Sequence, residues 1–228
     1  EERMASWHFK APMVHDFAWV ADPDFDHTSI SLDNGTVINF LFQRDSSTIH
    51  WDSLPTYTKR CFEIMNEKFG VYPYKQYTVA QGGDGGMEYP MITLISGNRS
   101  LRSLVGVTVH EAIHSWYQHL LGTNEAQYAW MDEGFTSYAQ DVVMREIWPG
   151  HRPFLGNYLG YQRFVKSGKR EVMTTHADHF ETNYAYGRVA YTMGAVFLHQ
   201  LSYIMGQEDF MVGMRRYFEV WNQKHPTP

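Results

Sequence analysis

Cysteine is all but missing from this chain. Cys61 is the single thiol in 228 residues, so no intrachain disulfide can form and the fold must be held by its core. Long apolar runs are missing as well: no stretch reaches the ~18 residues that a membrane-spanning helix needs. The opening residues, Glu1-Glu2-Arg3, lack the basic-then-apolar order of a secretory leader. They also lack an initiator methionine, from which we expect a processed or excised piece of a longer protein. Positive charge is in deficit, with 19 Lys and Arg against 25 Asp and Glu and a net charge of −6. That balance argues against nucleic acid or an anionic membrane as a partner. Internal repeats, low-complexity tracts and a clear linker are also absent.

Material for a core is plentiful. Hydrophobic residues make up 43% and aromatics 16%, enough for one large domain or two small ones. The first fifty residues read as strands. Residues 7–9 and 17–20 are short and aromatic, and residues 28–32 and 36–42 flank Asp33-Asn34-Gly35, a strong hairpin signal. Residues 54–69 read as a helix stopped by Gly70, with Cys61 on its apolar face beside Leu54, Thr58, Phe62, Met65 and Phe69. A thiol there is buried and inert. Residues 77–80 and 91–95 read as strands around a glycine-rich loop, 81–90. Helical periodicity then covers 101–121, 132–147, roughly 154–166, and 188–205. Strands first and helices after predict an α+β fold. We expect a strand-rich segment over 1–50, the end of an N-terminal β domain, and a second unit over 51–228 that is cut short at its C-terminus.

The chemistry is concentrated in His110-Glu111-Ala112-Ile113-His114, with Glu133 after eighteen intervening residues. Histidines four apart on a helix differ by roughly 40° in azimuth and one turn in height, so both rings reach a single ion. Glu111 is rotated by about 100° from His110, outside the ligand pair, where it can face a water. Glu133, from the first turn of a second helix, completes two nitrogens and one oxygen. Such a set leaves a fourth position open, as a catalytic zinc requires. The buried stripe of the first helix includes Val109, Ile113, Trp116 and Leu120, which sets His110 and His114 on its shoulder, beside the core yet open to a cleft. An HExxH pattern alone also arises on solvated helix faces; Glu133 within Trp130-Met131-Asp132-Glu133-Gly134-Phe135 argues against that. The neighbouring zinc signature with a third histidine needs glycine at position 117 and histidine at position 120. This chain has Tyr117 and Leu120 there, and His119, one place off, reads as a solvated residue.

These residues, joined to Gly85-Gly86-Met87-Glu88 some twenty positions upstream, resemble the aminopeptidase N-like zinc metallopeptidases. These are gluzincins with a thermolysin-like catalytic domain. The likeness runs from about residue 54 to the C-terminus, and residues 14–19 are similar to the family's lead into that domain. The resemblance implies one Zn²⁺ held by His110, His114 and Glu133, with Glu111 as general base. It implies that Tyr191, before Gly194-Ala195, stabilises the tetrahedral intermediate, with Tyr184 and Tyr186 as fallback candidates. Glu88 would hold the free α-amine of a peptide substrate, and Gly85, Gly86 and Met87 would pair with its backbone. The family's usual motif ends in Glu-Asn where this chain has Glu88-Tyr89, and Asp132 stands where asparagine is common. An endopeptidase or other hydrolase on the same zinc scaffold is the competing expectation, and a non-catalytic binding module a second. The resemblance further implies flanking domains in a parent chain, and an exported bacterial protein, periplasmic or extracellular.

Overall fold

Asn34-Gly35 turns the chain where the pattern predicts. The computed structural model describes residues 6–228. In it β1 (Phe25–Ser31) and β2 (Val37–Gln43) pair antiparallel from Phe25↔Gln43 to Ser31↔Val37. Burial alternates along β2, with Ile38, Phe40 and Phe42 inward, the two-residue period of a half-buried strand. β2 runs parallel to β3 (Gln76–Gln81), which runs parallel to β5 (Ile92–Ile95). β4 (Gly86–Tyr89) closes the far edge, antiparallel to β5, so the order is β1-β2-β3-β5-β4. One sheet therefore runs across residue 50.

Two expectations fail here. Residues 7–9 and 17–20 form no strand. Trp7 is 80% and Trp19 64% exposed, and a lone aromatic stretch without a pairing edge or a face to bury stays irregular. The glycine-rich segment 81–90 is also more than a loop, since it contains β4. Its glycines hid a short edge strand whose stability comes from pairing with β5 rather than from propensity.

Helices cover one face of the sheet. α1 (Leu54–Lys68) starts with Pro55 in its first turn, where the missing N–H costs nothing. It buries Leu54, Thr58, Cys61, Phe62 and Met65. α2 (Leu101–His114) packs beside it. Between them, Phe62 meets Tyr77 at 5.1 Å and Trp116 at 5.3 Å between ring centroids. Each such fully buried large side chain contributes about 1.5–3 kcal/mol, which anchors α2 and the histidines at its end. Cys61 is fully buried, and burial pushes its thiol pKa up. The remaining helices are α3 (Phe135–Ile147), α4 (Leu155–Lys166), α5 (Asn183–Gly187), α6 (Gly194–Met205) and α7 (Gln207–Trp221). α7 lies beyond the predicted helices, and Phe210, Met214 and Phe218 recur every four residues on its buried face. No helix among the described residues is long and apolar enough to cross a membrane. The fold is α+β: a mixed sheet near the N-terminus, then helices.

Candidate metal centre and cleft

His110, His114 and Glu133 meet at one point. Their two Nε2 atoms are 3.2 Å apart, and Glu133 Oε2 lies 3.1 Å from His110 Nε2 and 3.3 Å from His114 Nε2. The other nitrogen of each ring is already committed. His114 Nδ1 donates to Asp132 Oδ1 at 2.7 Å. His110 Nδ1 faces Gln140 Oε1 at 3.1 Å, and Gln140 Nε2 donates to the Gly106 carbonyl at 2.8 Å. That last bond orients the amide, so the Gln140 oxygen accepts from His110. Both rings therefore carry a hydrogen on Nδ1, which leaves Nε2 as the atom that would turn its lone pair to a metal ion. An ion at this point would take the two Nε2 lone pairs and the carboxylate oxygen in place of the proton that Asp132 and Glu133 otherwise favour on His114. Donors about 2.0–2.1 Å from one tetrahedral ion lie roughly 3.3 Å apart, which matches the spacing here. Two nitrogens and one oxygen suit zinc.

Burial opposes the charged form of His114, but the Asp132 and Glu133 carboxylates outweigh it and raise its pKa well above the usual value. Burial also raises the Asp132 carboxyl. Glu133 is buried too, yet His114 and His110 hold its carboxyl below the usual range. Glu111, buried beside them, is pushed up to about 7 by burial, with Glu88 and Glu133 adding to the effect against His110 and His114.

Gly86 explains how Glu111 is reached. β4 crosses α2 so closely that a Cβ at residue 86 would overlap Glu111 Oε1 and stand 2.6 Å from Val107 Cγ2. Only glycine leaves room for that carboxylate. Arg99 donates to the Gly85 carbonyl and to Ser96 Oγ at 3.0 Å, tethering the start of β4. Met87 is 36% exposed. Two positions after Gly86, the Glu88 carboxylate lies within 4.8 Å of the donor atoms of Glu111 and His114.

Three π-helical turns surround this centre. Ser115–Leu120 follows His114, Trp130–Gly134 carries Glu133, and Arg188–Met193 carries Tyr191. Each widens a helix that the periodicity predicted as regular, and each re-aims a side chain. The Tyr191 ring stacks on His110 at 5.8 Å with 14° between planes. Burial and the Glu133 carboxylate raise its hydroxyl pKa well above the ordinary value, so it remains a proton donor. Tyr186, half-buried against Phe180, is pushed up to about 12 by burial and then by Glu133 and Asp132. Tyr184 packs on Phe164 with the Arg188 guanidinium over its ring.

His119 corrects the sequence reading. It is largely buried, with Nδ1 3.4 Å from His15 Nε2 and a buried Nε2 without a partner. The π turn after His114 rotates it inward, which heptad counting does not reveal. Asp132 and Gln140 escaped sequence reasoning as supports of the two rings. Gln140 had a signal, since it follows Glu133 by seven residues, two helical turns on the same face. Arg99 had none, nor did Glu125, whose carboxylate lies within 4.8 Å of those of Glu88 and Asp132.

The model of the peptidase family M1 domain matches residues 56–227. Leucine aminopeptidase 2 from Chaetomium globosum is 27% identical over 153 residues, covering 61% of this chain and 24% of that protein. Aminopeptidase N from Streptomyces lividans is 24% identical over 215 residues, covering 85% of this chain and 25% of that protein. The chain thus spans about a quarter of the length of these curated relatives. Among solved structures, a mutant M1 zinc metallopeptidase from Deinococcus radiodurans superposes with a TM-score of 0.72 at 18% identity, covering 89% of this chain and 46% of that one. Yeast LTA4 hydrolase in complex with bestatin superposes at 0.69 and 20% identity, covering 88% and 34%.

Proposed function

This chain belongs to peptidase family M1, and from that membership we propose that it acts as a zinc aminopeptidase, removing N-terminal residues from peptides. The carrying observation is the triangle of His110 Nε2, His114 Nε2 and Glu133 Oε2 with the Glu88 carboxylate beside it. His110, His114 and Glu133 hold the zinc, with Asp132 and Gln140 fixing both ring tautomers. When bound, zinc supplies a Lewis acid that lowers the pKa of a water toward about 7.

The chain's own groups do the rest. Glu111, beside the ligands, takes a proton from the attacking water and returns it to the leaving amine. The Tyr191 hydroxyl, kept protonated, donates to the oxyanion that develops at the scissile carbonyl. β4 is an edge strand, so the outer edge along Gly85, Gly86 and Met87 can receive an extended peptide as in strand addition, the Gly85 and Met87 carbonyls being already bonded to Arg99 and Thr93. Glu88 pairs with the substrate's ammonium. A carboxylate enclosed in a cleft is costly without an opposite charge, so a free N-terminus is selected. Flanking domains of a longer parent chain complete the cleft; the partial coverage of the relatives supports this.

The test compares a peptide with a free N-terminus and the same peptide acetylated, using the zinc-loaded chain and Glu88→Ala. The wild type cleaves the free form selectively and Glu88→Ala loses that preference. Equal cleavage of both peptides by the wild type would point to an endopeptidase.

A further inference from the structure

Arg99 stands just before α2, next to Ser100 at the N-cap. A cation there is opposed by the helix dipole, so capping does not account for it. Among the described residues its guanidinium bonds only neutral oxygens: Ser96 Oγ at 3.0 Å, Ser103 Oγ at 3.0 Å and the Gly85 carbonyl. One rigid fork thus joins three segments, namely the end of β5, the first turn of α2 and the start of β4.

The start of β4 needs such a hold. Gly82, Gly83, Gly85 and Gly86 lead into it, and a glycine-rich backbone loses the most freedom on ordering. A Cβ at Gly83 would meet nothing within 4 Å, so packing does not fix this approach. The other end of β4 is held separately, by its ladder with β5 and by Thr93 Oγ1 donating to the Met87 carbonyl at 2.9 Å. Arg99, Ser103, Val107 and Glu111 recur every four residues, which places them along one side of α2. That side faces β4: Arg99 takes the Gly85 carbonyl, while Val107 and Glu111 leave room only for glycine at residue 86. With the substrate ammonium on Glu88 and the scissile carbonyl at Glu111 beneath Gly86, the peptide beyond the scissile bond runs toward Gly85.

Resting on the aminopeptidase reading, we propose that Arg99 is a positioning residue for the leaving part of the peptide. It pins the Gly85 end of β4 to α2, so the residues after the scissile bond meet a strand edge already in place. Without it that edge must be ordered by each substrate, and the ordering is drawn from binding energy. Glu88, on the separately held end, keeps its grip on the ammonium.

The experiment compares wild type, Arg99→Ala and Arg99→Lys as zinc-loaded full chains on two free-amine substrates. One is a tetrapeptide headed by leucine, the other a leucyl fluorogenic amide whose leaving group has no peptide backbone. In Arg99→Ala, kcat/KM for the tetrapeptide falls by about 10- to 100-fold, whereas that for the fluorogenic amide stays within a few-fold of wild type. Arg99→Lys recovers only part of the loss, because one ammonium cannot span three acceptors. Hydrogen exchange read by mass spectrometry needs no turnover. It shows faster exchange over residues 82–87 in Arg99→Ala, with residues 101–114 unchanged. Equal losses on both substrates, full recovery in Arg99→Lys, or unaltered exchange over 82–87 each overturn the proposal. Failure of the underlying reading looks different: the wild type itself would cleave neither substrate, or would cleave the acetylated tetrapeptide equally well.

Discussion

Gly134 and Gly194 touch backbone to backbone. A Cβ on Gly134 would stand 2.8 Å from Gly194 Cα, and one on Gly194 would stand 2.7 Å from Gly134 Cα. Each glycine closes a π-helical turn, one carrying Glu133 and the other Tyr191. The contact is what sets the carboxylate and the phenol around the same imidazole, since Tyr191 stacks on His110 and Glu133 faces its Nε2.

Gly194→Ala should therefore separate the two turns. The obstacle is backbone, so no rotamer change relieves it, and overpacking of this kind costs about 1–3 kcal/mol. The expected result is a melting temperature lower by a few degrees together with reduced kcat. Thermal unfolding and kinetics on the same preparation check this; a variant that matches the wild type in both would show that the contact relaxes freely.

Asp132 accepts from His114 Nδ1 at 2.7 Å and so keeps the lone pair of Nε2 turned to the metal. Asp132→Ala should weaken zinc binding by about 10- to 100-fold. Asp132→Asn should lose less, because the amide oxygen still accepts from the ring. Competition against a chromophoric chelator ranks the three proteins. Equal affinities would remove Asp132 from this role.

Glu111 touches no ligand atom of the triangle at hydrogen-bond distance but lies buried under Gly86. Glu111→Gln preserves shape and removes the proton acceptor. Turnover should fall by about 10²- to 10⁴-fold with one zinc per chain retained. Tyr191→Phe should lower kcat more than it raises KM. Elemental analysis beside steady-state kinetics separates these outcomes; full activity of Glu111→Gln would remove it as the base.

Metal removal should destabilise the chain. An ion bound only by the folded state adds about 2.7 kcal/mol at a hundredfold excess over its Kd, and here it would be held by His114, Glu133 and the part-buried His110. A chelator should lower the melting temperature by about 5–10 °C, reversed by added zinc. An unaltered melting curve would mean that the triangle does not bind metal in solution.

The legible parts of this molecule are those governed by local geometry. Asn34-Gly35 announced its hairpin because that pair tolerates the turn's backbone conformation. The 110/114 pair was readable because four residues make about one helical turn, and Glu111 was readable as the residue off that face. The strand at Gly86–Tyr89 was not, since a glycine-rich edge strand exists only through its partner β5. Nor was the burial of His119, which depends on a widened turn.

By itself, then, the amino-acid order determined the α+β class and the set of groups able to bind one ion, because helical spacing brings donors into register without reference to the rest of the chain. Tertiary structure alone decided that Asp132 and Gln140 hold the two rings, that Gly134 meets Gly194, and that Glu125 stands beside Glu88. Those neighbours are 18, 30, 60 and 37 residues apart, and only the packing of helices over the sheet brings such distant segments within reach.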